Sequence, residues 1–511
     1  MTNTTSASPA PDMKLFYACF VAMITTAFGF ILRALILPQW GVEFNLTQTQ
    51  LGEISGVGLW PFAISIVLFS LIIDKIGYKT AMIFAIICHV TSAIITIFAD
   101  GYWMLYTGTL IVALGNGTVE AVTNPVVATM FPRNKVKWLS ILHAGWAGGL
   151  VLGGIIALFM GAETKWEYKI GLILIPTLIY AIMMIPRKFP LNERVQAGVS
   201  YKEMLQEVGA AGALLISGLI VFQLGAVFGW SVAVNISITI LLTVLFGYYT
   251  RSFGQPLFII LLLIMIPLAT TELGTDSWIT DLMAPEMNQI GLQAGWVLVY
   301  TSAIMFVLRF FAGPIVHKIS PLGLLAVCSA IAATGLYLLS FSSGIMILLA
   351  ATIYGIGKTF FWPTMLGVVA ERFPKGGALT LNITGGLGMI AAGVIGAGIL
   401  GFIQDKSIDS KIASYDQVNN TAIHNTYVTE KKTSLFGDYE GLNQTKLATA
   451  SAQEQQTITT IRETAKKEAL RYIVIFPVIM LISYLLLILY FRSKGGYKVV
   501  VLKQDPVVAS S

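Results

Sequence analysis

The sequence predicts an all-α integral membrane protein with about fourteen transmembrane helices. Three observations carry this. Of 511 residues, 56% are apolar and only 11% are charged, where a soluble domain carries roughly 25% charged residues. The apolar residues are gathered into runs of the length that crosses a hydrocarbon layer, about 20 residues as a helix. The runs are also continuous. Barrel strands would alternate apolar and polar residues over about ten positions, whereas a continuous run in lipid must satisfy its backbone groups within itself, as a helix. Mean hydropathy is +0.77. This composition excludes an ordinary soluble enzyme, a disordered chain and a nucleic-acid binder, and the net charge of +6 is too modest to imply a polyanionic partner.

The runs fall at about 14–38, 48–73, 79–99, 102–131, 136–161, 167–185, 209–228, 232–251, 257–282, 289–317, 321–343, 345–372, 376–403 and 470–492. Residues 1–12 are polar and carry a single charge, Asp12. The first run is too long for a signal-peptide core and reads as the first span. Lys and Arg set the orientation. The N-terminal tail, the even-numbered connections and the C-terminal tail hold eighteen of them, among them Lys75, Lys79, Arg133, Lys135, Arg194 and Arg492; the short odd-numbered connections hold two, Lys165 and Lys169. Both termini are therefore expected in the cytoplasm of a multi-pass protein of the cell (inner or plasma) membrane. Residues 404–468 differ from the other connections. They are polar, with 8 Lys and Arg and 9 Asp and Glu, and read as a solvated external loop with one helix near 452–468. Cys19, Cys88 and Cys328 lie in apolar runs, where a free thiol behaves as a small hydrophobe. No spacing suggests a disulfide frame or a metal, and no cofactor is expected.

The chain repeats itself weakly at a period near 240 residues. Ser70–Lys79 (SLIIDKIGYK) corresponds to Gly313–Leu322 (GPIVHKISPL), both short basic turns after a long span. Gly115-Asn116-Gly117, Pro125 and Phe131-Pro132 correspond to Gly355-Ile356-Gly357, Pro363 and Phe373-Pro374, and each copy then enters a glycine-rich span. Small residues let helices pack closely in lipid. The expected organisation is a cytoplasmic tail (1–12), a six-helix bundle (13–185), a cytoplasmic linker (186–208), an inserted hairpin (209–251), a second six-helix bundle (257–492, including the 404–468 loop) and a cytoplasmic tail (493–511). Parallel halves of this kind hold substrate near the membrane midplane between them.

Asp74-Lys75-Ile76-Gly77-Tyr78-Lys79 resembles the cytoplasmic-loop signature of the major facilitator superfamily, G-x-x-x-D-[RK]-x-G-[RK]-[RK], with Ser70 in place of the first Gly. The second copy keeps Gly313 and has His317 at the Asp position. Within that superfamily, GNGTVEAVTNP (Gly115–Pro125) is similar to the fourth helix of the fucose/galactose/glucose–proton symporter group, and Arg309-Phe310 and Trp362-Pro363-Thr364 also look like that group. The resemblance implies the major facilitator fold, two six-helix bundles plus here a two-helix insertion, and proton symport of a sugar. One position departs. The group's proton-coupling Asp on the first helix falls on Ala34, with Arg33 beside it.

Charges inside spans are costly and are functional candidates by default. Glu120, in mid-span, suits a proton carrier or a hydroxyl acceptor; a structural pair with a basic neighbour is the plainer reading. Glu272 and Asp276 are four apart, on one helix face, and are candidates to line an outer cavity. Arg33 reads as a binder of an anionic or hydroxylated solute, as a snorkelling cation, or as the partner of Glu272. Lys358 reads as the counter-ion of Glu120 or as a solute contact. Arg309, nearer the cytoplasmic end, reads as gating or structural, and Asp74 and Lys79 as gating charges that pair across the halves. His143 is a candidate proton relay, Trp146 and Trp362 are candidate stacking faces, and Asn124 and Asn382 can meet hydroxyls. Gly357-Lys358-Thr359 is not a phosphate loop, because residue 352 is Thr rather than Gly and the run is apolar.

The leading reading is a secondary transporter, monomeric, that moves a sugar or related polyhydroxyl solute with protons. An organic anion carrier is the second. A non-transporting receptor, suggested only by the 404–468 loop, is a third of another class. A membrane enzyme would need a clustered catalytic constellation, and none is visible.

Overall fold

The computed structural model describes residues 11–46, 48–161, 163–276, 283, 287, 291–344, 346–434 and 437–502. Most of the expected N-terminal tail, the end of the C-terminal tail with Lys503, the end of the ninth run and the start of the tenth lie outside the described residues. The principal helices are α1 (Met13–Glu43), α2 (Trp60–Ile76), α3 (Tyr78–Ile97), α4 (Tyr102–Met130), α5 (Lys135–Met160), α6 (Leu174–Met184), α7 (Tyr201–Phe228), α8 (Val232–Thr250), α9 (Pro256–Ala269), α10 (Gly295–Arg309), α11 (Pro321–Leu339), α12 (Met346–Lys358), α13 (Gly377–Ala391) and α14 (Ile475–Ser493). Among the described residues, 13 helices are long and apolar enough to cross a membrane. A pair bent by 65°, Gly295–Arg309 with Ala312–Ile319, makes up to 14. These are the fourteen spans expected from composition.

Local chemistry explains the ends and breaks. The Asp12 carboxylate accepts from the backbone N–H groups of Lys14 (3.0 Å) and Leu15 (3.2 Å) and so starts α1. A capping box of Ser200 and Glu203 starts α7, so this helix begins inside the expected 186–208 linker. It breaks at Gly209, whose φ is 56°. A Cβ there would lie 2.0 Å from the Gly254 nitrogen, a contact only glycine permits. Two π-helical turns, Thr270–Gly274 and Ala392–Ala397, pack against each other beyond α9 and α13. Such bulges often re-aim side chains at functional sites, and the first carries Glu272.

The helices before residue 186 pack mainly on one another: α1 on α5 and α6, α2 on α4, and α3 on α4. Those after residue 256 do likewise, with α11 against α12 and α14 and α9 against α13. The two groups meet along two seams, α5 with α10 and α2 with α13. Glycine makes the α1–α5 contact close: a Cβ at Gly149 would stand 2.4 Å from the Ile24 carbonyl oxygen. Of the inserted pair, α8 is the outlying member, with only 11% of its apolar window buried. Its partner α7 is not peripheral. It packs on α13 and touches α2, one helix from each group.

The polar connection is not the solvated loop expected from its composition. Helix Gly398–Asn419 continues outward from the α13 segment, a β-hairpin (Val428–Ser434 with Gly437–Leu442) comes next, and helix Ala452–Ile473 returns. A small apolar core of Ile408, Ile412, Tyr427, Leu442 and Ile458 holds them together. The polar surface hid this core, because its apolar residues are spread over two polar helices, a short helical turn and a strand. Asp416 accepts from the N–H groups of Ile423 (3.1 Å) and His424 (2.7 Å), and His424 Nε2 lies 2.5 Å from Asp409. The hydrogen bond to Asp409 raises the imidazole above its ordinary 6.5. A raised imidazole stabilises the fold below its unfolded value and loses that contribution as pH rises through the folded one. Limited proteolysis of 404–468 is therefore expected to be faster at alkaline pH than at mildly acidic pH, and His424→Gln should remove the difference.

Candidate functional site

The site is built where the two helix groups meet. Glu120, on α4, is 3% exposed. Its Oε2 accepts from Asn124 Nδ2 at 3.4 Å, and Asn124 Oδ1 lies 3.0 Å from His143 Nε2 on α5. The backbone carbonyl of His143 accepts from Arg309 Nη1 at 2.7 Å. Arg309 Nη2 then reaches Glu272 Oε1 at 3.1 Å, its Nε donates to the Thr359 carbonyl at 2.8 Å, and Glu272 Oε2 accepts from the Trp362 N–H at 3.2 Å. A contiguous polar chain thus runs from Glu120 in the first group to Glu272 in the second. Glu120, His143, Trp146, Glu272, Arg309 and Trp362 surround one small cavity of about 20 Å³, the scale of a single water.

That cavity shares Trp146, Leu273 and Met389 with a much larger one of about 760 Å³. The large cavity lies toward the end from which residues 398–473 project, away from Met13 and Ser493. Its wall is mostly apolar, with Phe30, Leu59, Trp60, Trp146, Leu150 and Leu298 among its members, and Asp276 and Gln223 supply polar atoms. Gln223 comes from the inserted helix α7. A side pocket of about 70 Å³ opens from it past Phe30, Ala34 and Ser55, lined also by Arg33, Trp40 and Asn116.

The opposite end carries polar contacts beside a separate pocket of about 720 Å³ lined by Arg133, Lys137, Lys318, Glu371 and Tyr497. Lys135 Nζ bridges the groups, donating to the Ala370 carbonyl at 3.1 Å while pairing with Glu193 at 2.5 Å. Arg194 pairs with Asp74 at 2.6 Å. Glu371 accepts from Tyr497 at 2.8 Å through its side chain and from the Val500 N–H at 2.8 Å through its carbonyl.

Several expected pairings are corrected. Lys358 is paired with Asp276 and sits 5.2 Å over the Tyr354 ring; it is not the counter-ion of Glu120. Arg33 does not pair with Glu272, which belongs to Arg309, and it does not snorkel, being 8% exposed. Arg309 is 1% exposed and stands in the central cluster rather than at a gate. Asp74 pairs with Arg194, in the short helix Glu193–Gln196, and exposed Lys79 makes no ion pair among the described residues. Asn124 and Asn382 are 0% exposed; Asn124 is engaged by Glu120 and His143, and Asn382 donates to the Ala121 carbonyl at 3.0 Å while its Oδ1 meets no partner among the described residues. Trp146 faces both cavities, 5.9 Å from Phe30. Sequence reasoning missed Gln223, Asn116, Glu193 and Arg194. Gln223 was findable as an amide in an apolar run. The others needed to be seen in space.

Residues 18–274 match the profile of the family described as the Major Facilitator Superfamily. The chain belongs to the major facilitator superfamily. Chains of this superfamily are transporters and not enzymes, and they carry small solutes, often with protons. The gentisate transporter of Corynebacterium glutamicum is 22% identical over 198 residues, 38% of this chain and 44% of that protein; the match thus spans under half the length of that relative. Among solved structures, the human organic anion transporter MFSD10 (TETRAN) superposes with a TM-score of 0.59 at 13% identity, covering 78% of this chain and 94% of that one. FucP of the Major Facilitator Superfamily, in its outward conformation, gives 0.55 at 15% identity, covering 91% and 98%. Such similarity establishes a shared fold. This superfamily member is a multi-pass membrane protein.

Proposed function

We propose that this chain is a proton-coupled secondary transporter that carries a small organic solute between its two six-helix halves by alternating access. The observation that carries the proposal is the buried acid Glu120, which stands across a small cavity from the Arg309–Glu272 pair of the other half, next to a 760 Å³ chamber. An acid on one half that can gain or lose a proton beside a charged pair on the other makes the fit between halves depend on protonation. With the termini in the cytoplasm, as the Lys and Arg distribution implies, the chamber faces outward, and Lys135, which reaches the Ala370 carbonyl, and the Asp74–Arg194 pair hold the cytoplasmic end.

Two solute classes compete. A polyhydroxyl solute is supported by the fold shared with FucP and by the helix-four motif. An organic anion is supported by the chamber itself. Its wall is mostly apolar, Asn124 is engaged by Glu120 and His143, and Arg33 is a buried cation with no carboxylate partner among the described residues. The geometry favours the anion. The test is counterflow in proteoliposomes preloaded with unlabelled solute, comparing a ring carboxylate with L-fucose. Counterflow of neither would contradict a carrier of these classes.

Asp74→Asn tests the gate. Loss of the Asp74–Arg194 pair weakens the contacts at the cytoplasmic end, so turnover is expected to fall about tenfold or more, a change of roughly 1.4 kcal/mol in barrier. Solute affinity should change less than threefold. Lost binding with unchanged turnover would contradict the assignment.

A further inference from the structure

We infer that the 70 Å³ side pocket around Arg33 is a carboxylate seat, and that the solute is an organic monocarboxylate whose ring or apolar body occupies the large chamber. The inference rests on the transporter reading above and adds the recognition chemistry to it.

A guanidinium offers five N–H donors and no acceptor. Arg33 is more than nine-tenths buried. Its described contacts are Nη2 to Ser92 Oγ at 2.8 Å and a long one, Nη1 to the Gly29 carbonyl at 3.4 Å. Its Nε is buried with no acceptor. Of the other buried cations in the described spans, Arg309 is neutralised by Glu272, Lys358 by Asp276 and Lys135 by Glu193, while Lys169, close to a span end, donates to the Gly161 carbonyl at 2.7 Å. Burying a cation without a counter-ion costs several kcal/mol, which makes Arg33 a place where an anion is gained at low cost.

The surroundings are donors as well. The pocket is lined by Asn116, Ser55 and Trp40. Asn116 uses its Oδ1 toward His89 Nε2 at 3.0 Å, which leaves its Nδ2 amide to donate. Trp40 Nε1 is buried with no acceptor, and indole donates only. No carboxylate lines the pocket among the described residues. Ser55 and Thr109 supply hydroxyl oxygens that can accept, the Thr109 proton being already given to the Leu105 carbonyl at 2.8 Å, but the Arg33, Asn116 and Trp40 donors outnumber them, a surplus that suits a carboxylate with its four lone-pair sites. A sugar hydroxyl needs an acceptor for its own proton and finds a poorer match.

Size and position agree. The pocket has room for a carboxylate but not for a ring. It opens past Phe30, Ala34 and Ser55 into the chamber, where Trp60 and Trp146 offer faces to an apolar body. Ala34 stands at the mouth. An acid at that position would sit beside Arg33 and could neutralise it; alanine leaves the cation for the solute.

The test is equilibrium dialysis of radiolabelled benzoate with the purified full chain, with benzamide as the neutral isostere and L-fucose as the polyhydroxyl comparison. Wild type is expected to bind benzoate at least about tenfold more tightly than benzamide. Arg33→Gln should lose that preference while keeping the affinity for benzamide. Because Arg33 also holds Ser92, a second variant, Ala34→Asp, leaves Arg33 and its hydrogen bond in place; it should also lower benzoate affinity about tenfold or more. Equal binding of benzoate and benzamide by wild type, a preference retained in Arg33→Gln or Ala34→Asp, or L-fucose outcompeting benzoate would overturn the seat. The assay uses no pH gradient. A benzoate preference without proton-driven uptake would overturn the coupling and leave the seat standing.

Discussion

Glu120→Gln is expected to abolish accumulation of solute driven by a pH gradient while leaving exchange at equal pH intact. For coupling to one proton, a gradient of one pH unit sustains about a tenfold concentration ratio, since one pH unit is worth about 1.36 kcal/mol. The variant should fall to a ratio near one. Glutamine keeps the size of Glu120 and a hydrogen-bond acceptor for Asn124 Nδ2, now 3.4 Å away, so the helix packing survives the change. It removes the one property in question, the ability to exchange a proton. Retained accumulation would move the coupling role to another acid, and Glu272 stands across the same cavity.

The second large effect is on stability. Arg309 and Glu272 form a buried pair at 3.1 Å with side chains 1% and 4% exposed. Removing one member of such a pair leaves an uncompensated charge and costs about 3–5 kcal/mol. Arg309→Met and Glu272→Gln singly should each lower the unfolding temperature in detergent sharply. Arg309 also donates to two backbone carbonyls, of His143 and Thr359, so its loss should be the greater. The double variant carries no orphaned charge and should recover part of the loss. Two single losses that add fully in the double variant would show that the residues do not act as a pair.

Much of this is legible in the sequence, for definite reasons. Span number comes from the length of apolar runs, because a bilayer imposes a minimum length and a helical backbone. The membership of the central cluster is also legible. Glu120, His143, Trp146, Glu272, Arg309 and Trp362 all stand out, because a polar or large aromatic side chain in a span is expensive or conspicuous. Their partners do not. The repeat sets Lys358 against Glu120, yet Lys358 pairs with Asp276, because the π-turn Thr270–Gly274 shifts the helical register of the residues after it. Distance from Gly313 puts Arg309 near the gate, but the 65° bend after it keeps it deep in the core. Gln223 lies in the inserted hairpin, and only the packing of α7 on α13 reveals that it lines the chamber.

Solute movement through this interface is expected to be driven by protons. The measurement that bears on it most directly is uptake of labelled benzoate into proteoliposomes, with the pH gradient as the only energy source and a protonophore as control. With the uptake of protein-free liposomes subtracted, since neutral benzoic acid crosses lipid unaided, carrier-dependent accumulation of several-fold is expected when the gradient is inward, with collapse on adding the protonophore and none in Glu120→Gln. Carrier-dependent uptake that reaches the same ratio with and without the gradient would contradict it.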